Sequence, residues 1–364
     1  MSEAVTYRSP QPGELAECAL IWYAAVNDYM RRLGRPLPPP YLDPLLALLD
    51  HLLATDPERF VVAVRTAPRV PPWGYPKRQP HDSPTAGPPP EQVVGFGIAI
   101  QREHVWFLSQ LYVLPEEQRR GIGRALLTRV MPSVLPAPAA AAVALAVEAV
   151  GSIEASAVAE GPSVPVDLRP GVLATCTDSA QPVSNGLYGR FGIVARMPVF
   201  NLVGRPTDPS ALPALPEGIE AIPLETPGVP AAGPPAAAID SIDRAVLGYA
   251  HQADHDYLRA EGRTGFLYRT TTGDPIGYGY SSKAGRFGPV ALLDETLTAP
   301  VLAHLLTAIE PRGATSAWVP GANDRAMVAM LRAGLQIEGF PGLLCWTRPF
   351  AAFDLYMPAG LSLL

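Results

Sequence analysis

From Glu14 to Leu33 apolar residues recur at helical spacing (Leu15, Cys18, Ala19, Trp22, Val26, Met30), and Gly34 and Pro36 stop the helix they predict. Tyr41 to Leu53 predicts a second, shorter helix. The pattern then changes to continuous apolar runs, Phe60 to Val64, Val93 to Ile100 and Val105 to Val113, each of strand length. Polar Gln101-Arg102-Glu103-His104 between the last two predicts a hairpin, and Pro115 ends the second arm. A helix opens at Gly121 with Ile122, Ala125, Leu126 and Val130 on one face. A strand (Gly171 to Thr177), a helix reaching Phe191 and a strand (Ile193 to Leu202) follow. Helices, antiparallel strands and then strand–helix–strand predict an α/β fold of the α+β kind on one mixed sheet.

After Ile239 the pattern recurs. Gly265 to Thr271 and Ile276 to Tyr280 form a predicted hairpin around Gly273-Asp274. The strand Gly288 to Leu293, a helix over Ala299 to Ile309, the strand Ser316 to Val319 and the helix Asn323 to Arg332 come next. The strand Gly342 to Trp346 and the tail Phe350 to Tyr356 are apolar enough to pack on a domain or on a second subunit.

Composition places the joints. Of 43 prolines, nine fall between Pro68 and Pro90 and nine between Pro206 and Pro235. Such chain lacks backbone donors and favours extended, solvated conformations. The first group predicts a loop (66–91) inside a domain, and the second a connection between domains. An Ala/Val/Pro-rich insert spans 134–170. The expected organisation is a domain over 1–205, a linker over 206–238 and a second domain over 239–364. With 48% hydrophobic and 17% charged residues, global disorder is excluded.

The net charge of −6 gives no broad basic surface, so charge-driven nucleic-acid binding is not expected. The longest aliphatic run, Ala139 to Val147, is short of a membrane span, and no export signal is visible. Three scattered cysteines (Cys18, Cys176, Cys345) suit a reduced, cytoplasmic protein. Two lysines against 26 arginines, with much Ala, Pro and Gly, suit a GC-rich bacterial source.

The chemistry concentrates in Leu111-Tyr112-Val113-Leu114-Pro115-Glu116-Glu117-Gln118-Arg119-Arg120-Gly121-Ile122-Gly123-Arg124-Ala125. A strand ends, a basic turn follows, and two glycines open an amphipathic helix. Glycines permit close backbone approach, and N–H groups at a helix start favour an anion. Arg119, Arg120 and Arg124 add charge suited to phosphate. A strand–helix turn with a solvated basic cluster is the plainer reading, and two glycines alone do not separate the two. Neither the Walker spacing nor G-x-G-x-x-G is present.

Gln118-x-x-Gly121-x-Gly123, placed five residues after Val113, resembles the acetyl-CoA signature of the GNAT N-acetyltransferases, V-x-P-x-x-[QR]-x-x-G-x-[GA]. Gln181-Pro-Val-Ser184-Asn-Gly-Leu187-Tyr188-Gly-Arg-Phe-Gly192-Ile193 resembles the family's later motif, with Tyr and Gly in register. There Gln replaces Asn, Ser replaces Ala and Ile replaces Phe. The resemblance covers residues 4–205 and implies acetyl-CoA as acyl donor. It implies that Leu111, Tyr112 and Val113 hydrogen-bond the pantetheine arm and that Val113 N–H faces the thioester carbonyl. Gln118, Arg119, Arg120, Gly121, Ile122, Gly123, Arg124 and Ala125 would cradle the pyrophosphate. Tyr188 would protonate the departing thiolate, a role its phenol suits at pH 7; the alternative is an aromatic packing its helix on the sheet.

The later stretch Asn323-Asp-Arg-Ala326-Met-Val-Ala-Met330-Leu-Arg-Ala-Gly334-Leu335 resembles the same later motif, with Met330 where Tyr188 stands. No glycine pair or arginine cluster follows Asp294. The chain therefore reads as two tandem acyl-CoA N-acyltransferase (GNAT-like) domains, the second degenerate.

The general base is not readable: Glu103, His104, Glu116, Glu117 and Asp178 are candidates, each more simply a solvated group, and water relay is also compatible. His251 and His255, four apart, would suit a metal, but with no third ligand apparent a helix-surface or substrate-lining role is expected, and no metal. The expected function is acetyl transfer to a primary amine of a small molecule or peptide. A non-catalytic acyl-CoA sensor is the rival.

Overall fold

The structure, a computed structural model, describes residues 5–66, 91–133, 171–224 and 234–364. The Pro-rich loop expected over 66–91 lies almost wholly outside these residues, and the insert 134–170 wholly so. The chain forms two compact units, residues 1–99 with 110–131, and residues 100–109 with 132–364.

In the first unit β1 (Val5–Arg8) pairs antiparallel with β2 (Phe60–Thr66), which pairs antiparallel with β3 (Glu91–Arg102). Helices α1 (Glu14–Arg32), α2 (Asp43–Thr55) and α3 (Ile122–Val130) belong to the same unit. α1 carries Glu14 and Glu17 in its first turn and Arg31 and Arg32 in its last, complementing the helix dipole. Phe60, Val62, Val64 and Phe96 from the strands are buried with Leu126, Leu127 and Val130 from α3. β1 carries no alternating pattern long enough to be read from sequence. Its Arg8 guanidinium grips Glu14 at 2.7 and 2.8 Å and Glu91 at 2.9 Å.

The second unit takes in the last residues of β3 and the first half of β4 (Val105–Val113), which pairs parallel with β5 (Val172–Asp178). Beyond β5 the order is β12 (Gln336–Trp346), β6 (Val194–Gly204), β11 (Thr315–Pro320), β10 (Arg286–Leu292), β9 (Pro275–Ser282), β8 (Arg263–Thr270) and β7 (Ile219–Leu224). The short β13 (Tyr356–Met357) pairs with β10. The helices are α4 (Pro182–Gly189), α5 (Pro234–Val246), α6 (Gln252–Ala260), α7 (Thr298–Ala308) and α8 (Asp324–Arg332). β7 and the start of α5 fall in the Pro-rich stretch 206–238. There β7 aligns Ala221 with Tyr268 and Leu224 with Gly265 of β8.

Element order repeats along the described residues. β1-α1-α2-β2-β3-β4-α3-β5-α4-β6 is followed by β7-α5-α6-β8-β9-β10-α7-β11-α8-β12. The final strands are exchanged between the repeats. β12 lies between β5 and β6, pairing Leu343 with Thr177 on one side and with Pro198 on the other. β6 lies between β12 and β11, pairing Val199 with Pro320 and Leu202 with Ala317. A strand with hydrogen-bonded neighbours on both sides is apolar for reasons internal to the fold. The apolarity of Gly342 to Trp346, which suggested packing on a domain or on a second subunit, is accounted for within the chain. Likewise Phe350 and Phe353 are buried, and Trp346 stacks on Phe353 at 5.6 Å.

Candidate functional site

β4 ends at Val113, a short 3-10 turn follows over Pro115–Glu117, and α3 begins at Ile122. Two devices fix this reversal to the strands. Leu114 N–H donates to Val94 O at 2.9 Å, and the Gln118 amide Nε2 donates to Val113 O at 3.1 Å. Glu117 accepts from Arg65 at 2.5 Å and from Arg120 at 3.1 Å.

The backbone then does what few non-glycine residues do. Arg119 sits at φ 64° and Gly121 at φ 83°, both left-handed. Alternating left- and right-handed residues turn successive N–H groups to one side, forming a concavity that binds anions. Gly121 is the N-cap of α3 and offers no side-chain cap. The N–H groups of Ile122, Gly123 and Arg124, which open the helix, therefore lack an intrahelical acceptor. Arg119, Arg120 and Arg124 are exposed around this turn, while Ile122 is buried as its anchor. Ala125 N–H closes the first turn on Gly121 O at 3.0 Å.

The two glycines differ in why they are there. Gly121 is required by its backbone angle. A Cβ on Gly123 would meet only Val113 Cγ2, at 3.9 Å, so nothing in the protein itself excludes a side chain there. On β3, a Cβ on Gly95 would come within 3.0 Å of Tyr112 O and 3.3 Å of Leu126 Cδ1. Gly95 thus lets β4 and α3 close on β3. Tyr112 is held by Phe96 at 5.8 Å and Trp22 at 6.5 Å between ring centroids. The parallel β4–β5 register runs from Val105 with Val172 to Leu108 with Thr175, whereas β4 itself continues through Leu111, Tyr112 and Val113.

Tyr188 lies in the second unit, near the end of α4, and is 6% exposed. Gly192, at φ 76°, turns the chain so that Ile193 N–H donates to Tyr188 O at 3.2 Å. In the second repeat, Met330 is fully buried and Leu335 N–H donates to its carbonyl at 3.1 Å. The turn after β10 differs from its counterpart. Asp294 caps it by accepting from Thr296 N–H at 2.8 Å, residues 294–300 contain no positive φ, and Pro300 removes one early helix N–H. Beside it an open groove of about 410 Å³ carries Arg325, but Glu295 engages that guanidinium at 2.9 Å.

The acid–base candidates are mostly committed to structure. Glu103 accepts from the Arg244 guanidinium and from Ala250 N–H. Asp178 accepts from Ala180 N–H at 2.8 Å. Glu116 is exposed. His104 is buried, and burial, outweighing the neighbouring Glu103, holds its pKa below the usual imidazole value. Burial pushes the Cys345 thiol up to about 11 and the Cys176 thiol higher still, which suits core residues. Sequence reasoning missed one group. His251 and His255 do have a third possible ligand beside them, Asp243, which lies eight residues before His251 on a different helix, outside any helical-face argument.

Residues 46–149 match the family model described as Acetyltransferase (GNAT) family. No curated protein matches the chain in sequence. A Pyrococcus horikoshii protein designated an acetyltransferase shares the fold at TM-score 0.59 and 14% identity, over 98% of this chain and 94% of that one. A GCN5-related N-acetyltransferase from Sphaerobacter thermophilus matches at TM-score 0.51 and 14% identity, over 95% and 96%. At these identities the likeness shows the fold. Among the described residues no helix is long and apolar enough to cross a membrane. The segment that holds the signature turn thus matches a GNAT family model, in a chain whose described residues repeat one element order and share the fold of these two proteins.

Proposed function

We propose that the first repeat is an acetyl-CoA-dependent N-acetyltransferase domain, that the second is a degenerate copy without cofactor chemistry, and that the acceptor is a primary amine of a small molecule or peptide. The observation that carries this reading is the turn Gln118 to Arg124. It combines left-handed Arg119 and Gly121, an uncapped helix start and three exposed arginines. Such a turn suits a pyrophosphate, because helix N–H groups and guanidinium forks both address anionic oxygens. The counterpart after β10 has neither the backbone angles nor an arginine cluster over residues 294–300.

In this reading the pantetheine arm hydrogen-bonds along Leu111 to Val113, past the last β4–β5 register pair. The neutral amine attacks the thioester carbonyl, whose oxygen takes the Val113 N–H as donor; a preoriented donor at a developing oxyanion is worth a large part of such a barrier. The tetrahedral intermediate collapses with C–S cleavage. Tyr188 gives its phenolic proton to the thiolate, and water carries away the proton lost by the amine. With Glu103 and Asp178 engaged elsewhere, no side-chain base is invoked.

The test is thiol release from acetyl-CoA across a panel of primary amines, together with calorimetric CoA binding. Acceptor-dependent release, lost in Gly123→Glu, supports the enzyme. Tight binding with no release across a broad panel would favour the rival reading as an acyl-CoA sensor.

A further inference from the structure

Two helices and a strand of the second repeat converge on a set of buried ionisable groups that the acetyl-transfer reading does not use. Asp243 on α5, His251 at the N-cap of α6 and His255 within α6 are at most 2% exposed. Asp243 Oδ2 lies 3.0 Å from His255 Nε2 and 3.4 Å from His251 Nε2, and one donor atom from each of the three lies within 4.8 Å of the other two. Neither ring nitrogen of His251 makes a hydrogen bond, although the side chain is buried. A buried polar group left in this way costs free energy and calls for an explanation.

We infer that Asp243, His251 and His255 form a binding site for one divalent transition-metal ion of the zinc type, with a water completing the coordination shell. Bonds of about 2.0–2.2 Å place neighbouring ligand atoms around a tetrahedral metal about 3.3 Å apart. The two measured separations, 3.0 and 3.4 Å, bracket that value. Two imidazoles and one carboxylate suit zinc, cobalt or nickel in preference to calcium or magnesium, which take all-oxygen sets.

The far side of each ligand is also provided for. His255 Nδ1 is 3.0 Å from Tyr280 OH, and Asp243 Oδ1 accepts from Tyr278 OH at 2.6 Å. His251 Nδ1 faces Asp254 Oδ2 at 3.5 Å, and Asp254 is held by Arg102 through bonds of 2.7 and 2.8 Å. Partners of this kind orient metal-bound histidines and fix their tautomers. Charge points the same way. Two buried carboxylates, Asp243 and Asp254, face a single committed guanidinium, Arg102, while Arg259 is engaged with Asp256. The group is left net negative, which attracts a cation, and a proton on His251 is the metal's competitor. With the site this buried, the ion would be structural, tying α5 and α6 to β9.

The test uses the full chain, stripped with a chelator, dialysed and titrated with Co²⁺ and then Zn²⁺. Binding is read by visible ligand-field absorption and calorimetry. Expected are one Co²⁺ per chain with the intense bands of four-coordination, displacement by Zn²⁺, and a higher melting temperature in Zn²⁺ than in chelator. Asp254→Asn, checked by circular dichroism for a native fold, should weaken Zn²⁺ binding about 10–100-fold, as loss of an outer partner does. No saturable uptake of either ion by the wild-type chain, or uptake undiminished in a folded His251→Asn variant, would overturn the site.

Discussion

Tyr188 and Met330 occupy the same place in two copies of one helix ending. Ile193 N–H donates to Tyr188 O at 3.2 Å and Leu335 N–H to Met330 O at 3.1 Å, with left-handed Gly192 and Gly334 one residue earlier in each case. Seven residues upstream, Gln181 and Asn323 are the N-caps of the two helices. The backbone ending is the same in both repeats, while the side chain is a phenol in one and a thioether in the other.

Tyr188→Phe is therefore expected to lower kcat by about 10²–10⁴-fold, the usual contribution of a general acid, with CoA affinity nearly unchanged. Met330→Phe should leave turnover as it is. Steady-state kinetics of both variants beside CoA calorimetry decides the matter, and an unaltered rate for Tyr188→Phe at every pH would remove Tyr188 as the acid.

Gly121 and Gly123 should separate by measurement. Gly121→Ala forces a Cβ into the left-handed region and is expected to cost about 1–2 kcal/mol of stability. Gly123→Glu meets no backbone strain and only Val113 nearby, so its denaturation midpoint should stay close to wild type. Its CoA affinity should fall at least about tenfold, or ~1.4 kcal/mol.

The exchanged strands make the repeats inseparable. A fragment ending at residue 205 keeps β5 and β6 but loses β12 from between them and β11 from the far side of β6. Unpaired strand edges and exposed apolar faces favour aggregation. The fragment should expose apolar surface to a reporter dye and be cut rapidly by protease, where the intact chain resists both. A cooperative, protease-resistant fragment would contradict the exchange.

His104 should make the protein acid-sensitive. Its folded pKa lies below the ordinary imidazole value because burial disfavours the cation. Its stabilising contribution is then fully present above about pH 6.5 and is lost as pH falls through the folded pKa. Denaturant midpoints across pH 7.5 to 5 should fall more steeply for wild type than for His104→Gln.

Much of the first repeat was legible because it follows local rules. The helix from Glu14, the hairpin around Glu103-His104 and the signature turn each depend on neighbours in sequence. β7 was hidden inside a proline-rich stretch, since composition reports where chain is stiff and not what it pairs with. The exchange of β6 and β12 was not legible either: Gly342 to Trp346 reads as a strand, but its partners lie well over a hundred residues away. Asp243 was missed for a similar reason, because it meets His251 and His255 only after the chain reverses between α5 and α6.

The central claim is that one repeat holds the acyl donor and the other does not. Equilibrium titration of the intact protein with CoA tests it most directly. The account predicts one CoA per chain, reduced to none in the accessible concentration range by Gly123→Glu and unaffected by Arg325→Ala in the second repeat. Two equivalents per chain, no binding at all, or one equivalent that survives Gly123→Glu and is lost with Arg325→Ala would contradict it.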